Sequence, residues 1–130
     1  MTDLLLEGTS KTPTVHFDAA TGQLHLRGRS IPENSIEFYK PLIEWIDQYA
    51  RAPKSSTQLR VQLEYFNTSS SKCILDLFKK LEQLRTAGID VQVLWHYEVD
   101  DEEMLEAGED YQAIINLPFK MIEVEEVDGN

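Results

Sequence analysis

Apolar and polar side chains alternate over residues 14 to 18, TVHFD, with Val15 and Phe17 on one side, and again over QLHLR at 23 to 27, with Leu24 and Leu26 together. A period of two marks a half-buried strand, and the intervening AATG supplies turn chemistry at Gly22. The pair predicts an antiparallel hairpin. SIPENS then breaks the pattern and offers Asn34 and Ser35 as helix caps. From Ile36 to Tyr49 the period turns helical: Tyr39, Leu42, Ile43, Ile46 and Tyr49 form a stripe, with Phe38 and Trp45 at its margin. Pro41 lies inside this segment and must either kink the helix or mark its first turn, because its nitrogen has no proton to donate to the preceding turn.

Beyond APKSST, the run QLRVQLEY places Leu59, Val61, Leu63 and Tyr65 on one side and Arg60, Gln62 and Glu64 on the other. Strict alternation predicts a sheet with one covered and one wet face, unlike the continuous apolar runs of a doubly covered parallel sheet. The helices are therefore expected mainly on one face. A second helix carries the stripe Ile74, Leu77, Phe78, Leu81 and Leu84, flanked by Cys73, and stops at Ala87-Gly88, where glycine suits the helix end. IDVQVLWHY predicts a fourth strand, an acidic segment between Asp100 and Ile115 a third helix, and FKMIEVEEV after Pro118 a fifth strand with a frayed acidic tail. Strands separated by helices of this length lie parallel through right-handed crossovers. The fold class is α/β: a mixed sheet of about five strands, an N-terminal hairpin followed by alternating helices and strands.

Composition narrows the function classes. A chain of 130 residues with 42% hydrophobic content suits one domain over residues 1 to 130. No apolar run approaches the roughly 18 residues needed to span a bilayer, and MTDLLLEGTSK has no basic leader, so no membrane insertion and a cytoplasmic location are expected. Twelve basic against 23 acidic residues give a formal charge of -11, which repels phosphate backbones. Nucleic acid is not an expected partner. The single cysteine, Cys73, rules out an intramolecular disulfide and a four-thiolate zinc site.

The stretch with most candidate chemistry is Asn67-Thr68-Ser69-Ser70-Ser71-Lys72, at the junction of a strand and the second helix. One such side chain caps the helix, a contribution of about 1 kcal/mol. A single cap does not account for four hydroxyls, and no Glu or Gln stands three residues after Thr68 or Ser69 to complete a capping box. Read as an exposed loop, the stretch offers hydroxyls to a kinase, and a phosphate there would sit by the free N–H groups and positive end of the helix, with Lys72 as a further partner. A nucleotide cradle is not expected, since the glycines of a P-loop are missing. His16, His25 and His96 fall on strands, His16 and His25 as cross-strand neighbours without a placed third ligand, so no metal site is assigned. VDDEEMLEAGEDY lacks the oxygen-ligand spacing of a calcium loop and reads as a solvated helix face. Leu75 stands off the buried stripe and is a candidate docking residue. No catalytic residue and no cofactor are assigned.

Three stretches, EYFNTSSSK, RGRSIPENSIEFYKPLIEWIDQY and VLWHYEVDDEEMLEAGEDYQ, together resemble the SiaC-type regulatory phosphoproteins, relatives in fold of the STAS-domain anti-sigma-factor antagonists. The resemblance implies a STAS-like fold and a non-enzymatic protein whose phosphoacceptor is Thr68. Asn67, Ser69, Ser70, Ser71, Lys72 and Leu75 are then its loop and partner interface. It further implies three partners: a cognate protein serine/threonine kinase, a PP2C-like phosphatase and a diguanylate cyclase. The unphosphorylated form would bind the cyclase and promote cyclic di-GMP synthesis, aggregation and biofilm formation. The alternative is an anti-sigma-factor antagonist in a partner-switching transcription pathway.

Overall fold

The structure is a computed structural model and describes residues 1–125. Among these residues the chain forms six strands and three helices: β1 Leu4–Leu6, β2 Thr14–Asp18, β3 Gln23–Ser30, α1 Ser35–Tyr49, β4 Ser56–Phe66, α2 Thr68–Thr86, β5 Asp90–Glu98, α3 Glu102–Ile114 and β6 Phe119–Val124. The strands lie in sequence order across one sheet. β1, β2 and β3 are antiparallel, whereas β3 through β6 are parallel. Three successive right-handed crossovers in the same direction leave all three helices on one face. That face holds the core. Phe17 meets Trp45 edge-on, Phe78 meets Trp95 and Phe119, and Tyr111 packs against both Phe78 and Trp95.

The opposite face carries His16, His25, Arg60, Gln62 and His96, as the alternation requires. His16 and His25 are register partners, as expected from sequence. Pro41 lies inside α1, six residues after its start, so it marks no first turn; it is exposed. Gly88, with φ +101°, follows the end of α2 where glycine was expected. The acidic tail predicted after the last strand lies, from residue 126, outside the described residues.

Two features depart from the sequence reading. The sixth strand, β1, arises from the three-leucine patch, where Leu4 and Leu6 pair with Phe17 and Val15. Three residues are too short to show a period. In β4, Gly28 pairs with Leu63 but Arg29 pairs with Tyr65, so Glu64 is an extra residue and the strand bulges. The bulge reverses the alternation beyond it: Tyr65, expected beside Leu63, is exposed, and Phe66 turns inward to meet Trp95.

α3 seats on β5 through one small residue. The Trp95 indole Nε1 donates to the Met104 carbonyl at 2.9 Å, and a Cβ built on Gly108 would lie 2.5 Å from the indole ring. Only glycine lets the helix backbone approach the ring this closely.

Candidate functional site

α1, α2 and α3 follow β3, β4 and β5, so their N-termini share the carboxyl edge of the sheet. Each has a side-chain cap: Asn34 accepts from the Glu37 amide, Asn67 from the Ser70 amide and Asp101 from the Met104 amide. At α2 the backbone of Asn67 is extended, with φ −84° and ψ 172°. Its amide donates to the Ser30 carbonyl at 3.0 Å, which anchors the turn to β3. Thr68 is thus the first residue of α2. Residues 68 to 71 form helix rather than the exposed loop read from the sequence, and this corrects the expectation that all four hydroxyls are presented together.

Each hydroxyl has a different setting. Ser70 is fully buried. Its Oγ donates to the Ser30 carbonyl at 3.1 Å and accepts from Ser30 Oγ at 2.9 Å, while the Tyr39 hydroxyl lies 2.7 Å from Ser30 Oγ. Counting protons gives the direction: Tyr39 donates to Ser30, Ser30 to Ser70, and Ser70 to the carbonyl. Ser69 donates to Asn67 Oδ1 at 3.2 Å, which leaves Ser35 to donate to Ser69 at 2.7 Å. The Tyr111 hydroxyl donates to the Ser71 carbonyl at 2.8 Å, and the Ser71 hydroxyl lies 3.1 Å from the Tyr111 oxygen. Thr68 differs from all three. It is exposed, and among the described residues its hydroxyl makes no hydrogen bond.

Ser70 therefore belongs to the interior, and the sequence reading that placed it on a partner interface is corrected. Leu75 is half-buried, with part of its side chain packed against the core. Lys72 is exposed near the helix start. Ser30 and Tyr111, which help hold the serines, were not singled out from sequence, while Ser35 was read there only as a helix-cap candidate and Tyr39 only as part of the α1 stripe. One signal was legible: the inward series Leu24, Leu26, Gly28 continues to Ser30, so a buried hydroxyl with a partner follows from the period alone.

The electrostatics of the edge are uneven. α1 has Glu37 in its first turn and α3 has Glu102 and Glu103, but α2 has no acidic residue in its first turn. The positive end of α2 is the one without a carboxylate from its own chain segment, and an anion there is favoured by about 0.3–1 kcal/mol. Burial pushes the Tyr39 and Tyr111 hydroxyls up and keeps them protonated donors. Burial, with a smaller contribution from Asp76, also raises the Cys73 thiol, the opposite of what a nucleophilic thiolate needs.

The other polar groupings lie away from Thr68. Asp3, His16 and Asp18 converge at the β1–β2 edge, with ligand atoms within 4.8 Å of one another, and His25 is not among them. Asp3 and Asp18 thus stand beside His16, where sequence had placed no third ligand; all three are at least partly exposed. A groove of about 720 Å³ on the open face is lined by Arg27, Gln62 and His96 together with Glu64, Glu98 and Asp101. Thr68 does not line it.

The family model for SiaC family regulatory phosphoproteins matches residues 6–124. The chain belongs to the SiaC family. An uncharacterised protein of Pseudomonas aeruginosa strain UCBPP-PA14 is 34% identical over 119 residues, covering 92% of this chain and 94% of that protein. Apo-SiaC from Pseudomonas aeruginosa superposes with a TM-score of 0.86 at 33% identity, covering 94% of this chain and 99% of that one. SiaC bound to the diguanylate cyclase SiaD, which it activates in the same organism, matches with a TM-score of 0.87 at 32% identity over 94% of this chain and 100% of that one. Among the described residues, no helix is long and apolar enough to cross a membrane.

Proposed function

We propose that this chain is a non-enzymatic phosphoswitch: unphosphorylated, it binds and activates a diguanylate cyclase, and phosphorylation of Thr68 releases that partner. The observation that carries the reading is the setting of Thr68, an exposed hydroxyl without a hydrogen bond among the described residues, beside three serines whose hydroxyls are engaged. A kinase needs an acceptor oxygen that leaves its surroundings without cost. Thr68 meets that requirement, whereas Ser70 would have to leave a buried relay.

The fold tolerates the product. A phosphate on Thr68 adds about −1.5 to −2 charges at neutral pH beside the unpaired first-turn amides of α2. The absence of acidic residues in that turn spares it local repulsion. For a partner seated over Thr68 the same phosphate is bulky and costly to desolvate, so a local charge change alters binding without refolding the domain. Asn67 holds the turn, Ser69 and Ser71 brace it, and Lys72 stands one helical turn after Thr68 on the same face.

The activity of the SiaC relative toward SiaD supports the cyclase as partner over the anti-sigma-factor alternative. A cognate serine/threonine kinase and a PP2C-like phosphatase would set the phosphorylation level in the cytoplasm, and increased cyclic di-GMP would favour aggregation and biofilm. Incubation with the kinase and ATP followed by site mapping tests the assignment. Phosphate on Thr68, lost in Thr68→Ala, is expected; phosphate on Ser69 or Ser71 alone would reassign the switch.

A further inference from the structure

Six large apolar side chains are exposed among the described residues: Met1, Leu5, Ile36, Tyr65, Val99 and Ile114. Singly exposed hydrophobics are ordinary, but three of these share the edge that carries Thr68. Ile36 is the second residue of α1, Tyr65 is the penultimate residue of β4, and Val99 directly follows β5. β3, β4 and β5 are parallel neighbours about 4.8 Å apart, so Ile36, Tyr65 and Val99 all lie along the carboxyl edge of the sheet, where Thr68 opens α2. The hydrogen bond between Ser35 and Ser69 draws the start of α1 directly against the start of α2.

We propose that Ile36, Tyr65 and Val99 are the apolar anchors by which this chain docks the diguanylate cyclase, with Thr68 at the centre of the contact. The inference rests on the cyclase reading given above and extends it to the surface used. Ile36 is 77% exposed, Tyr65 51% and Val99 48%. Tyr65 is outside only because the Glu64 bulge turns it there; unbroken alternation would have buried it with Leu63. A bulge re-aims a side chain, and here it brings an aromatic, the residue type enriched at binding hot spots, to a position three residues before Thr68. Beside Val99, the residues Glu98, Asp100, Asp101, Glu102 and Glu103 line an acidic hollow. The complementary partner segment is apolar opposite Ile36 and Tyr65 and carries lysine or arginine on the side that meets α3. A phosphate on Thr68 would stand in the middle of the apolar contact and would have to lose its hydration for the partner to seat.

The test is calorimetric titration of the unphosphorylated full chain with the diguanylate cyclase of its own organism, run in parallel with the Thr68-phosphorylated chain. Ile36→Ser and Tyr65→Ser are each expected to weaken binding about tenfold or more, and Val99→Ser less. Leu5→Ser and Ile114→Ser, equally exposed but on other edges, are expected to bind like the parent. Unchanged circular dichroism and melting temperature confirm that the variants are folded. If phosphorylation weakens binding while all three edge variants bind like the parent, the docking surface is wrong and the phosphoswitch stands. If the variants lose binding while phosphorylation has no effect, the surface stands and the switch falls. A parent chain that does not bind the cyclase overturns both.

Discussion

Replacing Ser70 with alanine removes one oxygen from the closed relay that joins β3, α1 and α2. In the parent, Tyr39 donates to Ser30, Ser30 to Ser70 and Ser70 to the Ser30 carbonyl, so three protons meet three acceptors. In Ser70→Ala, two hydroxyls remain with two protons and one contact between them. One buried O–H is then left without an acceptor. The carbonyl keeps the Asn67 amide, and the Asn67 cap still receives the backbone amide of residue 70, so the loss falls on that donor and on the longer 3.3 Å contact between the Ser35 and Ser70 hydroxyls. Stranding one buried neutral donor costs about 1–3 kcal/mol. With a urea dependence of about 1–3 kcal/mol per molar, the unfolding midpoint falls by about 1 M. Intrinsic fluorescence reports the transition, because Trp45 and Trp95 are both buried. Thr68→Ala, two residues away, is expected to stay within about 0.5 kcal/mol of the parent. A Ser70→Ala protein that unfolds at the parent's midpoint, or a Thr68→Ala protein that loses more than Ser70→Ala, would refute the division of labour among these hydroxyls.

Gly108→Ala improves helix propensity yet drives a methyl into the Trp95 ring, and overpacking of this kind costs about 1–3 kcal/mol; a lower melting temperature with altered tryptophan emission is expected. Burial, together with the nearby Arg60 guanidinium, holds His25 and His96 below their ordinary pKa. The unfolded chain binds their protons first as pH falls through about 6.5, so stability should decrease from neutral toward mildly acidic pH. Melting curves across that range should show the slope, and a His25→Gln/His96→Gln double variant should flatten it. Phosphorylation of Thr68 places an anion at the start of α2, so the melting temperature of the phosphorylated chain should equal or exceed that of the unmodified one.

The order of elements was legible because the relevant periods are long: QLHLR and QLRVQLEY alternate over enough residues to define a face, and the stripes of α1 and α2 run for several turns. β1 was not, since three leucines carry no period and the strand exists only by pairing with β2. Tyr65 shows a second limit. Its side follows from an extra residue in β4 opposite Gly28, which is a property of the pair of strands and absent from either alone. The capped strand–helix junction at Asn67 was legible, but the order of its hydroxyls was hidden. Which of four adjacent hydroxyls is free depends on Ser30, Ser35, Tyr39 and Tyr111, each distant in sequence and brought to α2 by packing. Likewise Leu75 looked unpartnered on a helical wheel, yet it packs against the core.

The most direct measurement of the central claim is cyclic di-GMP production by the cognate diguanylate cyclase with increasing amounts of this chain, prepared either unmodified or stoichiometrically phosphorylated on Thr68. The unmodified chain should raise the cyclase rate in a saturable manner, and the phosphorylated chain should need about tenfold or more protein to reach the same rate. Superimposable activation curves for the two preparations would contradict the account.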